Sequence, residues 1–183
     1  MTLRIVLLVA ATAGLAACHS AKDGNTAAPD GNSATAARPA AAKGTIADSF
    51  GKPDTSRFAA AVKAAGMDGV FKGPGPYTVF MPTDAAFMSA GDLGTNKQAL
   101  VKLISGHVLP GTVLAEDIGH AIDANNGKAL LKTMAGDTLT ATRDGDRIKL
   151  AGPSGSATVS GADEVYGNGV VHHVDAVLKP AAK

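Results

Sequence analysis

The feature that most constrains the fold is a β-branched and aromatic run, Tyr77-Thr78-Val79-Phe80-Met81, that meets Pro82 and then Thr83-Asp84. Such residues fit a pleated, half-buried surface, so the run reads as a strand. Gly73-Pro74-Gly75-Pro76 punctuates the chain just ahead of it, because proline fixes φ and glycine reaches conformations other residues avoid. Pro82 has no N–H to give a sheet ladder and stops the strand. Thr83 or Asp84 can then accept hydrogen bonds from the orphan amides of a following helix. Turn, strand, stop and helix cap are thus fixed within one short window ending near Phe87.

Helical patterns dominate the first half of the globular region. Asp54 or Thr55 can cap a helix carrying Phe58, Ala61, Val62 and Ala65 and ending at Gly66. Thr95 and Gln98 stand as a capping box ahead of Leu100, Leu103, Ile104 and His107 at helical spacing. Glu116-Asp117 opens one more short turn. From Ala129 onward the pattern becomes strand-like: Leu130-Leu131, Thr138 to Thr142, Arg147 to Leu150, Ala157 to Val159, and Val170 to Leu178, the last stopped by Pro180. Ala135-Gly136-Asp137, Asp144-Gly145-Asp146, Gly152 to Gly155 and Asn168-Gly169 supply the turns between them. Helices first and a meander of strands second define an α+β class.

The N-terminus reads as an export signal. Arg4 precedes the apolar run Ile5 to Leu15, which is too short to span a bilayer comfortably, and small residues follow. Leu15-Ala16-Ala17-Cys18 resembles the bacterial lipobox, in which the cysteine thiol is acylated and cleavage falls just before it; the alternative is an ordinary signal with an incidental cysteine. The expected organisation is a signal over 1–17, acylated Cys18 with an Ala/Gly/Pro/Ser-rich tether over 18–43, and a domain over 44–183. His19 stands where an inner-membrane retention aspartate would be, which favours the outer membrane in a host that has one. Cys18 is the only cysteine, so the domain must be held by core burial without a disulfide. Loss of 1–17 removes one cation, Arg4, and takes the formal net charge from +1 to 0. A neutral chain without Trp and with 2 Tyr offers neither the footprint nor the stacking platform of a nucleic-acid binder.

In this order the motifs resemble the fasciclin-like (FAS1) domain family. Thr78-Val79-Phe80-Met81-Pro82-Thr83-Asp84 with Phe87 resembles its first motif, and Asn168-Gly169 through His172 and Asp175 to Pro180 resembles its second. His107-Val108-Leu109-Pro110-Gly111 resembles its central Tyr-His motif, with Gly106 where the tyrosine would stand. The resemblance implies a compact wedge of β-sheets flanked by several helices, with the first and second motifs side by side in the core. It also implies a non-enzymatic adhesion or matrix-interaction module without a cofactor. Its partners would be the membrane through a lipid anchor and an envelope, matrix or cell-surface protein or glycan. The receptor binding linked to the tyrosine in animal relatives does not transfer.

Some members bind apolar small molecules, and Met81, Phe87 and Met88 are the side chains that could line such a pocket, or simply belong to the core. An enzymatic reading rests on His173 and Asp175, which share a strand face and could form a dyad; His172 points to the other face. No nucleophile signature, phosphate loop or zinc-type histidine spacing accompanies them, and structural histidines satisfied by neighbours are the simpler reading of His107, His172 and His173.

Overall fold

The computed structural model describes residues 44–181 except 92, 94 and 95. The expected signal, Cys18 and tether lie outside the described residues, as does Thr95. A 3₁₀ turn over Ile46–Gly51 leads into α1 (Ser56–Ala65) and α2 (Asp68–Lys72), followed by β1 (Tyr77–Pro82), α3 (Asp84–Ser89) and α4 (Lys97–Ser105). Then come β2 (Val108–Pro110), α5 (Ala115–Ala124), β3 (Ala129–Lys132), β4 (Thr138–Asp144), β5 (Arg147–Gly152), β6 (Gly155–Tyr166) and β7 (Gly169–Val174). The class is mixed α+β, as the pattern of helices and strands predicts.

The seven strands form one sheet in the order β2-β1-β7-β6-β5-β4-β3. From β3 to β7 it is an antiparallel meander, whereas β1 lies parallel to β7, with Tyr77 opposite Gly169 and Pro82 opposite Val174. The two recognisable stretches do therefore lie side by side. Beyond β3 the chain returns to β2, where the Met134 and Ala135 amides donate to the carbonyls of Val108 (2.8 Å) and Ser105 (3.2 Å).

Alternation along β1 divides the interior in two. Val79 and Met81 face a cluster with Ile46, Phe58, Val62, Phe71 and Ile104, under the first four helices. Phe80 faces the opposite way, into a cluster with Ile118 and Ile122 of α5 and Leu139, Leu150 and Leu178. Both sides of this central strand are covered, which explains why its run is continuously apolar rather than alternating.

Several boundaries differ from the sequence expectation for identifiable reasons. The cap of α4 is Asn96, whose Oδ1 accepts from the amides of Gln98 (2.8 Å) and Ala99 (3.4 Å). His107 lies beyond that helix, and Val108 to Pro110 pair with β1. The turn expected at Glu116-Asp117 is the ten-residue α5. Its start is held by Asp117, which accepts from the Leu114 amide at 2.9 Å. β6 runs well past Val159, because register shifts between Val159 and Glu164 absorb the strand-breaking Gly161-Ala162-Asp163. β7 ends at Val174 instead of Leu178, since the next residue, Asp175, exchanges bonds with Thr158: its Oδ1 accepts from the Thr158 amide at 2.6 Å and its amide donates to the Thr158 carbonyl at 3.1 Å.

Candidate functional site

The first motif is consumed by construction. Thr78 is buried in β1; its hydroxyl donates to the Gly111 carbonyl and accepts from the Val113 amide, each at 2.8 Å, tying the loop after β2 to the strand. Val79 and Phe80 are fully buried and Pro82 closes the strand. Thr83 caps α3, its hydroxyl accepting from the Ala86 amide at 3.2 Å.

Asp84 caps a different helix from the one it begins. Its Oδ1 accepts from the Arg57 amide (2.8 Å) and its Oδ2 from the Ser56 hydroxyl (2.6 Å), so the carboxylate closes the N-terminus of α1 from across the fold. The hydrogen bonds from Ser56 and then Arg57 hold its carboxyl below the usual range. Replacing a cap of this kind with alanine costs about 1 kcal/mol. Asp84→Ala therefore lowers stability by about that amount in urea unfolding, while Asp84→Asn, which keeps an acceptor for the Arg57 amide, loses less.

Each of the two buried histidines locks three segments. His107 Nδ1 donates to the Leu103 carbonyl at 2.9 Å and Nε2 accepts from the Leu178 amide at 3.0 Å, which fixes a neutral ring joining α4 to the C-terminal segment. Its own carbonyl accepts from the Phe80 amide of β1 at 2.8 Å. Burial pushes its pKa down to about 4, against a smaller opposing effect of the Leu103 carbonyl. His172 takes the other tautomer: Nε2 donates to the Val113 carbonyl (2.9 Å) and Nδ1 accepts from the Asp163 amide (3.2 Å). The ring stacks on Phe80 at 5.5 Å, and burial lowers its pKa as well. Asp163, at φ 62° in the irregular part of β6, in turn accepts from the Ala115 amide at the start of α5.

Asn168 is the third internal clamp. Its Oδ1 accepts from the Ile46 amide (2.8 Å), and its Nδ2 donates to the carbonyls of Phe71 (2.8 Å) and Gly73 (2.9 Å). Gly169 follows directly opposite Tyr77. Pro110 is exposed at the end of β2 and Gly111 turns the chain at φ 97°. Pro180 borders a shallow groove of about 210 Å³ with Leu93, Ala99, Leu103 and Lys179.

Two residue groups singled out in the sequence are not brought together. Met81 is fully buried in the core and Phe87 packs at the edge of the same cluster, but Met88 is 62% exposed; the three do not line one cavity. His173 and Asp175 take different partners. Asp175 is engaged with the Thr158 amide, while His173 Nε2 lies 3.4 Å from Glu164 Oε1. Glu164 Oε2 binds Lys52 Nζ at 2.9 Å and accepts from the Tyr166 hydroxyl at 3.1 Å. Burial raises the Glu164 carboxyl, and the hydrogen bonds from Lys52 and Tyr166 lower it further than burial raises it, leaving the pKa below its ordinary value. The alternation of Glu164 and Tyr166 along β6 is the only sequence signal for this cluster. It was hidden by the glycine that precedes it in the strand. Tyr166 also borders an open cleft of about 480 Å³ with Pro74, Pro76, Thr112 and Gly167. Among the described residues no group of three or more His, Cys, Asp or Glu could hold a metal ion, and no helix is long and apolar enough to cross a membrane.

A sheet whose parallel β1–β7 pair is bolted by buried Asn and His side chains, with α1 to α4 on one side of β1 and α5 with the meander on the other, defines a FAS1-type domain. Residues 53–180 match the model of the Fasciclin domain, and the chain belongs to that family. It is 35% identical over 137 residues to protein sll1483 of Synechocystis sp., covering 71% of this chain and 69% of the relative. It is 30% identical over 126 residues to the pig transforming growth factor-beta-induced protein ig-h3, covering 66% of this chain but only 17% of that protein. Among solved structures, a FAS1 domain pair from the insect cell adhesion molecule fasciclin I superposes with a TM-score of 0.56 at 20% identity, over 68% of this chain and 45% of that one. At that identity the likeness is one of fold.

Proposed function

We propose that this chain is a non-enzymatic interaction module of the cell envelope, held to a membrane through Cys18 and working in adhesion or matrix contact. The observation that carries the reading is the commitment of Thr78, Asp84, His107, Asn168 and His172 to internal hydrogen bonds. Groups that would otherwise be read as acid, base or ligand instead hold strands and helices in place, so the work falls to the outer surface. The kinship of fold with a cell adhesion molecule supports the same direction. The lipobox-like Leu15 to Cys18 and the polar stretch after it supply anchor and tether.

Two measurements test this. Mass spectrometry of the protein from its native source should show a mature chain beginning at an acylated Cys18; an unmodified Cys18 defeats the anchoring. Cells lacking the protein should attach less to their envelope or matrix surfaces, with attachment restored by the full chain. Unchanged attachment, together with a purified domain that binds no surface, envelope polymer or protein, defeats the interaction role.

A further inference from the structure

Of the two buried histidines, His172 is the one with a carboxylate within ion-pair distance among the described residues. The ring nitrogens of His107 meet the Leu103 carbonyl and the Leu178 amide. His172 Nδ1 stands 3.8 Å from Asp163 Oδ1, with the two side chains 1% and 28% exposed. That oxygen already holds another group: it accepts from the Ala115 amide at the start of α5 at 2.9 Å, while the Asp163 amide donates to Nδ1 at 3.2 Å. These two bonds keep Asp163 at φ 62°, a conformation that few residues other than glycine adopt. The bond to Ala115 joins α5 to the irregular part of β6, beside a groove of about 140 Å³ that Ala115, Arg147 and Ala162 border.

The other charges around the ring are engaged elsewhere or lie at the groove's border. His173, next on β7, turns to Glu164 at 3.4 Å, and β1 contributes the uncharged Phe80 ring. On α5, Asp117 accepts from the Leu114 amide and Glu116 lies 3.8 Å from His120. The β5 hairpin contributes Asp146 and Arg147 to the groove. A protonated His172 can no longer accept at Nδ1, so the added proton opposes the Asp163 amide. The carboxylate in reach is Asp163 Oδ1, which a shift of about 1 Å brings to hydrogen-bonding distance. Nε2 donates to the Val113 carbonyl in either state. A buried charge is tolerated only when it is paired, so the charged ring draws the carboxylate to itself and off the Ala115 amide.

We propose that His172, Asp163 and Ala115 form an acid-operated latch: protonation of His172 moves the Asp163 carboxylate from the α5 amide to the ring, uncoupling the start of α5 from β6 and opening the groove beside them. Burial, the largest influence on the ring, favours its neutral form, so the latch is closed at neutral pH and opens in acid. The latch does not depend on what the outer surface of the domain binds.

NMR spectra of the full chain from about pH 7.5 to about 4.5 test this, a range that spans imidazole titration and stops above ordinary carboxylate values. Only folded-state resonances are followed, which separates the latch from acid unfolding. The Ala115 amide proton, drawn downfield by its carboxylate acceptor, should move upfield with the same midpoint as the His172 ring protons, and the Asp163 amide should move with it. In His172→Gln both amides should stay fixed. Asp163→Asn keeps an acceptor for the Ala115 amide but no charge for the ring to draw, so there too the Ala115 resonance should stay fixed. His173→Gln, on the opposite face of β7, should leave the wild-type response intact. A wild-type Ala115 amide that stays fixed or moves with a midpoint other than that of His172 would overturn the latch. So would a response that survives in His172→Gln or Asp163→Asn, or one that disappears in His173→Gln.

Discussion

Gly169→Ala is expected to destabilise the domain by on the order of 4 kcal/mol or more, a large part of an ordinary domain's stability of about 5–15 kcal/mol. A Cβ on Gly169 would sit 1.9 Å from the Tyr77 carbonyl oxygen and 2.8 Å from Ile46 Cδ1, at a φ of 153°. Tyr77 is the register partner of Gly169, so relief requires opening the parallel β1–β7 pair around which both cores are built. Gly136→Ala provides the comparison. It also has a positive φ, 86°, but nothing lies within 4 Å of the added Cβ, so it pays backbone strain alone, about 1–2 kcal/mol. Urea unfolding of the two variants should differ by several-fold in lost stability; a Gly169→Ala protein as stable as Gly136→Ala would contradict the assigned pairing.

Mild acid should weaken the fold through its buried histidines. His107 is neutral in the folded state with a pKa of about 4, against 6.5 for the unfolded ring. Between these values the unfolded chain binds more protons, so stability rises with pH through this range. The contribution is complete above about 6.5 and is lost as pH falls toward about 4; the difference corresponds to on the order of 3 kcal/mol. A proton on Nε2 would face the Leu178 amide that it now accepts, so loosening begins at the C-terminal segment. His172, shifted in the same direction, adds to the slope. Asp84 acts lower: its folded pKa is depressed, so its stabilisation is lost only as pH falls below about 3.8. Urea unfolding from pH 7 to 4.5 should show steadily falling stability in the wild type and a flatter profile, from a lower starting point, in His107→Gln. A wild-type profile that is flat across this range would contradict the buried neutral ring.

The sequence made legible those elements whose ends are marked by side-chain chemistry. α1 (Ser56–Ala65) ends at Gly66, which turns at φ 71°, and β1 stops at Pro82 with Thr83 capping the next helix. The start of α1 was misplaced, since neither Asp54 nor Thr55 caps it: the Thr55 hydroxyl donates instead to the Ser49 and Lys52 carbonyls, while Asp84 closes the helix. The hairpin at Gly145-Asp146 closes with Asp144 opposite Arg147. α5 was legible only as a turn, because Gly119 interrupts its helical pattern; in the structure that glycine lies under Arg143, where an added Cβ would meet Nη2 at 2.9 Å. The extension of β6 was hidden by Gly161, against which the His173 ring packs, again a long-range contact with no local trace. The same holds for the polar clamps. Asn168 and His107 are visible as motif residues, yet their partners Ile46, Phe71 and Leu178 are fixed only by the tertiary fold. The Lys52–Glu164 pair joins the first turn of the domain to a strand end more than a hundred residues away, and no local pattern announces it.

The central claim is that the most recognisable residues build the domain while its uncovered surface does the work. The most direct test measures urea stability and cell attachment, per folded molecule, for Asp84→Ala, beside cells that lack the protein. Asp84→Ala should lose about 1 kcal/mol with attachment intact, while deletion should lower attachment. A folded Asp84→Ala protein that no longer attaches, or deletion that leaves attachment unchanged, would contradict the account.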